Sequence, residues 1–116
     1  MYSDLVMQYF LQPRFVYPGD AAPALCVGAA ESGLLLCWFV DKADKKANKQ
    51  VRYRVYGNPV AVAVAECCCA HWQDTKTLPT VAGVMQHLQL DRRTRWIVTT
   101  ACDSWQRLPV QRRSCS

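Results

Sequence analysis

After Ser3 the apolar residues Leu5, Val6, Tyr9 and Phe10 recur at helical spacing and the pattern stops before Pro13, which predicts a short first helix capped by Ser3. From Arg14 to Gly33, Pro, Gly and Ala mix without a period, so this stretch reads as a long loop with at most a short turn. Leu34 to Val40 is an apolar run, and Val51 to Tyr56 alternates in period two, so two strands are expected. The polar stretch DKADKKANKQ between them suits an exposed hairpin connection. The alternation sends Arg52 and Arg54 to one sheet face and Val51, Tyr53 and Val55 to the other, a wet side and a dry side.

The run PVAVAVAECCCAHWQ is ambiguous, because its valines favour a strand. Its start decides the matter. Asn58 is a preferred N-cap residue, Pro59 suits the first helical position, and the run is too long for an ordinary strand, so a helix from 59 to about 73 is predicted. With Pro79 as a helix start, Val81, Val84, Met85 and Leu88 share one side of a further helix. Ile97, Ala101, Trp105 and Leu108 form a last stripe that stops at Pro109. The order predicts a single α+β domain over residues 1–116, a small antiparallel sheet covered on its dry face by helices.

A chain of 116 residues can bury a core without staples. No apolar run approaches the roughly 20 residues that span a bilayer, and the N-terminus lacks a basic segment leading into a cleavable apolar core, so a cytoplasmic protein without membrane contact is expected. The net charge is +5, much of it from six arginines facing two aspartates between Asp91 and Ser116. No aromatic-rich or glycine-rich RNA motif accompanies that cluster, so a solvated basic face is expected rather than nucleic-acid binding.

Seven cysteines, three of them consecutive, make a poor disulfide framework and suit reduced thiols. On a helix Cys67 and His71 share a face, while Cys68 and Cys69 point elsewhere. A metal site would need Cys102 or Cys26 from another element. The blander expectation is helix packing, since a buried cysteine behaves as a small apolar side chain. His71 is expected at the surface or the core edge, and His87 near a helix C-terminus where it meets the dipole. No phosphate loop, carboxylate pair or Ser-His-Asp context is present, so an enzyme is not expected. Cys102 beside Asp103 has no evident neighbour to lower its pKa, and a packing role is expected there too. The four tryptophans, 38, 72, 96 and 105, are expected in the core or at its rim.

The opening YSDLVMQYFLQPR, with Tyr2, Ser3, Pro13 and Arg14, resembles the first helix of the IscU/NifU-type iron–sulfur cluster scaffold family. VGAAESGLLLCWFVD from Val27 to Asp41 resembles that family's loop and long strand. VRYRVYG, the Ala-rich helix and DTKTLP resemble its later strand, Tyr-Gly turn, helix and Gly-Lys-Ser-Leu segment. The resemblance spans almost the whole chain through the order and spacing of these pieces. It implies the SufE/NifU-type fold.

The family holds zinc or a nascent cluster with three cysteines, an aspartate and often a histidine. In this chain the corresponding positions carry Ser32, Asn58 and Val98, with Leu34 where the aspartate belongs and Ile97 before Val98. Cys26 and Cys102 are the other candidates for the first and third positions. Thiolate sulfur binds iron or zinc strongly, whereas a hydroxyl, an amide and a valine offer almost nothing in its place. The resemblance therefore implies a degenerate scaffold with no cofactor, kept as an interaction or regulatory module that meets a cysteine desulfurase or a true scaffold. The alternatives are a carrier of zinc or an iron–sulfur cluster with ligands relocated to Cys67, His71 and Cys102, and a thiol enzyme using one of the three adjacent cysteines. The family's chaperone-recognition segment is replaced by RRTRW, whose Arg92, Arg93 and Arg95 suit an acidic partner.

Overall fold

A computed structural model describes residues 3–29, 33–40 and 50–108. Helix α1 (Asp4–Leu11) begins where Ser3 Oγ accepts a hydrogen bond from the Val6 N–H at 3.2 Å. The same hydroxyl donates to the Leu88 carbonyl at 3.0 Å, so one N-cap also ties the first helix to a later one. Three antiparallel strands follow, β1 (Leu25–Ala29), β2 (Leu34–Val40) and β3 (Val51–Tyr56), in the order β1-β2-β3. Then come α2 (Pro59–Thr75), α3 (Val81–Leu88), a single 3-10 turn at Arg92–Thr94 and α4 (Arg95–Trp105). The fold is α+β, as expected. No helix among the described residues is long and apolar enough to cross a membrane.

Strand β1 is the element the expected loop concealed. LCVGA carries no period-two polarity, and Gly28 sits at φ +123°, so neither composition nor pattern announces a strand. It forms because β2 is central: the run LLLCWFV offers ladder groups on both sides, and β1 pairs residue for residue from Leu25↔Trp38 to Ala29↔Leu34. The connection after β2 (residues 41–49), Ser32, Pro109 and the arginine-rich tail lie outside the described residues.

On the inner face Leu34, Leu36, Trp38, Val51 and Tyr53 are all buried. Trp38 meets Trp105 edge-on at 5.2 Å between ring centroids and donates its indole N–H to Ser104 Oγ at 2.6 Å. Burying a side chain of that size stabilises the fold by about 3 kcal/mol, provided its N–H is partnered as it is here. The outer face is not the wet side that the alternation predicts. Tyr17 stacks on Phe39 at 4.0 Å, and the Arg54 guanidinium lies over both rings while donating to the Gly19 carbonyl at 2.7 Å. A cation can lie on an aromatic surface and still reach polar partners, so Arg54 is half-buried rather than solvated.

Helix α2 is the centre of the domain, packed by β3, α1, α3 and α4. Every residue from Val60 to Cys69 except Val62 is buried. A helix apolar all round belongs inside, which is the physical reason for its alanines and its three successive cysteines: small side chains let four neighbours approach. Its start follows the cap argument, with Asn58 Oδ1 accepting from Ala61 N–H at 3.1 Å and Pro59 opening the helix. It runs two residues beyond the expected end and closes at Lys76 in the left-handed conformation. Pro79 is not the start of α3; Thr80 is its cap, accepting from Gly83 N–H at 3.1 Å. Leu108 is buried as expected but lies past the end of α4, and Trp96 is 44% exposed while Trp38, Trp72 and Trp105 are buried.

Candidate functional site

The residues that the resemblance puts at ligand positions have separate fates. Next to Ser32, Gly33 turns the chain from β1 to β2 at φ +73°. Gly57, which ends β3, comes so close that a Cβ added there would meet the Gly33 carbonyl oxygen at 3.1 Å and Leu34 Cδ1 at 3.4 Å. The first two loops therefore converge. Asn58 is exposed at that junction, yet its side-chain oxygen is committed to the Ala61 N–H. Val98 is fully buried in the core, with Ile97 2% and Leu34 3% exposed. These three carry only carbon side chains into the interior.

The other candidate set rests on α2. Cys68 Sγ and Cys102 Sγ are hydrogen-bonded across to α4, and Trp72 meets Trp105 at 6.0 Å. A step along α2 from Cys68 to Trp72 moves the partner along α4 from Cys102 to Trp105, so the two helices run in the same sense. The hydrogen bond with Cys102, then burial, pushes the Cys68 thiol well up. The same bond draws Cys102 down, a neighbour effect invisible in the sequence. Burial, then Cys102, raises Cys67 to about 11, so this thiol is protonated at neutral pH.

Cys67 and His71 line a cleft of about 350 Å³ between α1, α2 and α3, together with Tyr9, Arg14, Asp74 and His87. Cys102 is not among the lining residues. His71 Nε2 is hydrogen-bonded to Thr77 Oγ1 at 2.9 Å, and His87 Nε2 to the Tyr9 hydroxyl at 3.3 Å. The structure thus brings Cys67 and His71 to one wall, adds His87, and turns Cys102 towards Cys68. Among the described residues no three His, Cys, Asp or Glu side chains gather as a metal-holding group.

Glu66 is the functional-looking residue that sequence reasoning passes over. It is 1% exposed, and its Oε2 accepts three hydrogen bonds: from Arg14 N–H at 2.7 Å, Phe15 N–H at 2.8 Å and the Tyr53 hydroxyl at 2.9 Å. Burial first, and then the neighbouring Glu66, push the Tyr53 phenol far above its ordinary value. The segment after α1 is thereby held on β3, where Phe15 and Tyr17 exchange backbone hydrogen bonds with Tyr53. One signal was available: Glu66 is the only charged residue between Pro59 and Gln73, and a carboxyl inside an apolar helix requires partners. Its role is structural, since all three donors belong to the framework.

Searches against protein-family models and curated proteins return no match for this chain.

Proposed function

We propose that this chain is a divergent iron–sulfur scaffold-type domain of the IscU/NifU kind that has lost its cluster site and acts as an interaction or regulatory module near cluster assembly. The observation that carries the reading is the state of two positions: Val98 is fully buried, and the Asn58 side chain is spent on capping α2. Converting ligand positions into a core contact and a helix cap stabilises the body at the expense of the site. An α+β body with a small antiparallel sheet and helices supports this reading at the level of fold class.

The partner in this reading is a cysteine desulfurase or a true scaffold, met in the cytosol. Arg92, Arg93 and Arg95 are exposed around the 3-10 turn, next to the exposed Trp96, and would face an acidic surface. Anaerobic purification with metal analysis and a binding assay against both partners is the test. Expected are far less than one equivalent of iron or zinc and salt-sensitive binding to one partner, weakened by replacing the three arginines. Stoichiometric metal that disappears in Cys67→Ser would instead establish a carrier with relocated ligands. Metal-free protein that binds neither partner would sink the proposed role.

A further inference from the structure

Cys26 is an alternative first ligand in the resemblance, yet neither it nor Cys37 lines the cleft beside α2. They are direct partners in the antiparallel register of β1 and β2, on the outer face of the sheet. Residues paired in this way have Cα atoms about 4.5–5.5 Å apart, inside the roughly 4.4–6.8 Å that a disulfide bridges without backbone movement. Cys26 is exposed, and Cys37 is 7% exposed beneath it. The next residue across the sheet from Cys37 is Arg54, tethered to the Tyr17 and Gly19 carbonyls. One thiol open to solvent, one sheltered beside it and a fixed cation on the far side form an ordered row.

We propose that Cys26 and Cys37 form a thiol–disulfide exchange site whose substrate is a low-molecular-weight disulfide such as glutathione disulfide. The exposed Cys26 sulfur, as thiolate, attacks one sulfur of RS–SR; the S–S bond breaks and RS⁻ leaves, giving a mixed disulfide on Cys26. Cys37 then gives up its proton, and its sulfur attacks Cys26 Sγ and expels the second RS⁻. Two protein thiols and RS–SR become one protein disulfide and two RSH, with two electrons passing to the small disulfide. Burial and a hydrogen bond with Cys26 hold the Cys37 thiol up to about 12, opposed by Arg54, so the second step is the slow one. Cys68 and Cys102 also touch, but at 0% and 4% exposure no small disulfide reaches them.

The sequence makes the test direct, because no lysine or arginine lies between Arg14 and Lys42 and both cysteines fall in one tryptic peptide, 15–42. Folded full-length protein is treated with glutathione disulfide, free thiols are blocked with an alkylating agent, and the digest is weighed. The peptide is expected unalkylated and lighter by two hydrogens than its reduced form. Cleavage after Glu31 should yield two fragments that separate only on reduction. Cys37→Ser should stop at a stable glutathione adduct on Cys26. If that variant does not fold, the exposed-site change Cys26→Ser, with an unaltered circular dichroism spectrum, should leave Cys37 alkylated, the peptide carrying one alkyl group and no glutathione. A lasting glutathione adduct on wild-type Cys26, a cross-link from Cys26 to any other cysteine, or no reaction at either thiol would each overturn the proposal.

Discussion

The thiols of α2 and the thiols on the outer face of the sheet share a chain and an atom type, yet their neighbours assign them opposite work. Cys67, Cys68, Cys69 and Cys102 are buried among helices and behave as small packing groups. Cys26 and Cys37 sit across one ladder, with the first of them open to solvent. The eye-catching cluster in the sequence is therefore the buried one, and two cysteines eleven residues apart form the proposed exchange pair. Local density of a residue type identifies a site only where the secondary structure turns those side chains towards one point; a helix spreads neighbours by about 100° each, whereas an antiparallel ladder brings distant residues face to face.

The strongest way to break the comparison is to disturb the buried side of α2. Glu66→Ala leaves two backbone N–H groups and the Tyr53 hydroxyl without their acceptor, and each unsatisfied buried donor costs about 1–3 kcal/mol. A loss of about 3–5 kcal/mol in urea unfolding is expected, while Glu66→Gln, which keeps an acceptor oxygen, should lose less than about half of that. If Glu66→Ala unfolds with the wild-type midpoint, the clamp is not holding the segment after α1.

Alkali gives the next largest effect. Cys67 is held at about 11 in the fold against 9.0 for a free thiol. The folded chain keeps its proton where the unfolded chain releases it, so this stabilising difference is complete below pH 9 and is lost as pH climbs through 11. Each pH unit in that window removes up to about 1.4 kcal/mol per such thiol. Urea midpoints should fall from pH 9 to 11, with thiolate absorbance rising only as the chain unfolds. Cys67→Ala should flatten part of that slope; an identical slope in the variant would show that other groups cause it.

What the sequence made legible followed from local rules. Ser3 and Asn58 with Pro59 announce their helices because a cap is a contact between near neighbours, and α2 could be told from a strand on that ground together with its length. Strand β1 stayed hidden because its reason for existing is the unpaired edge of β2, a non-local demand written nowhere in LCVGA. The outer face misled for a related cause: period two located Arg52 and Arg54 correctly, but nothing in β3 reveals that Tyr17 arrives to cover Phe39. At the candidate site, Asn58 could be assigned a role from its neighbours. The burial of Val98 depends on how α4 packs beside α2, and the convergence of Gly33 with Gly57 depends on the sheet.

On the outer face the comparison can be sharpened first through the backbone. Gly28 lies between Cys26 and the turn at φ +123°, and a Cβ there would collide with the Leu34 carbonyl oxygen. Gly28→Ala should cost about 1–3 kcal/mol and loosen β1 from β2. Faster amide hydrogen exchange confined to β1 and its partner groups on β2 would show this; unchanged exchange would mean that the strand tolerates a side chain there.

The smallest effect is the most discriminating. Cys26→Ser swaps sulfur for oxygen at an exposed position on an edge strand, where little packing is lost and a hydroxyl can take over the hydrogen bond with Cys37, so unfolding should shift by no more than about 0.5 kcal/mol. Cys68→Ser makes the same change at 0% exposure, places a hydroxyl where the partner is a thiol on α4, and should cost about 1–3 kcal/mol. Urea unfolding of the two variants side by side isolates environment from chemistry, because the substitution is identical. Equal losses would mean that Cys26 is packed as tightly as the helix thiols, and the division between inert and accessible sulfur would collapse with it.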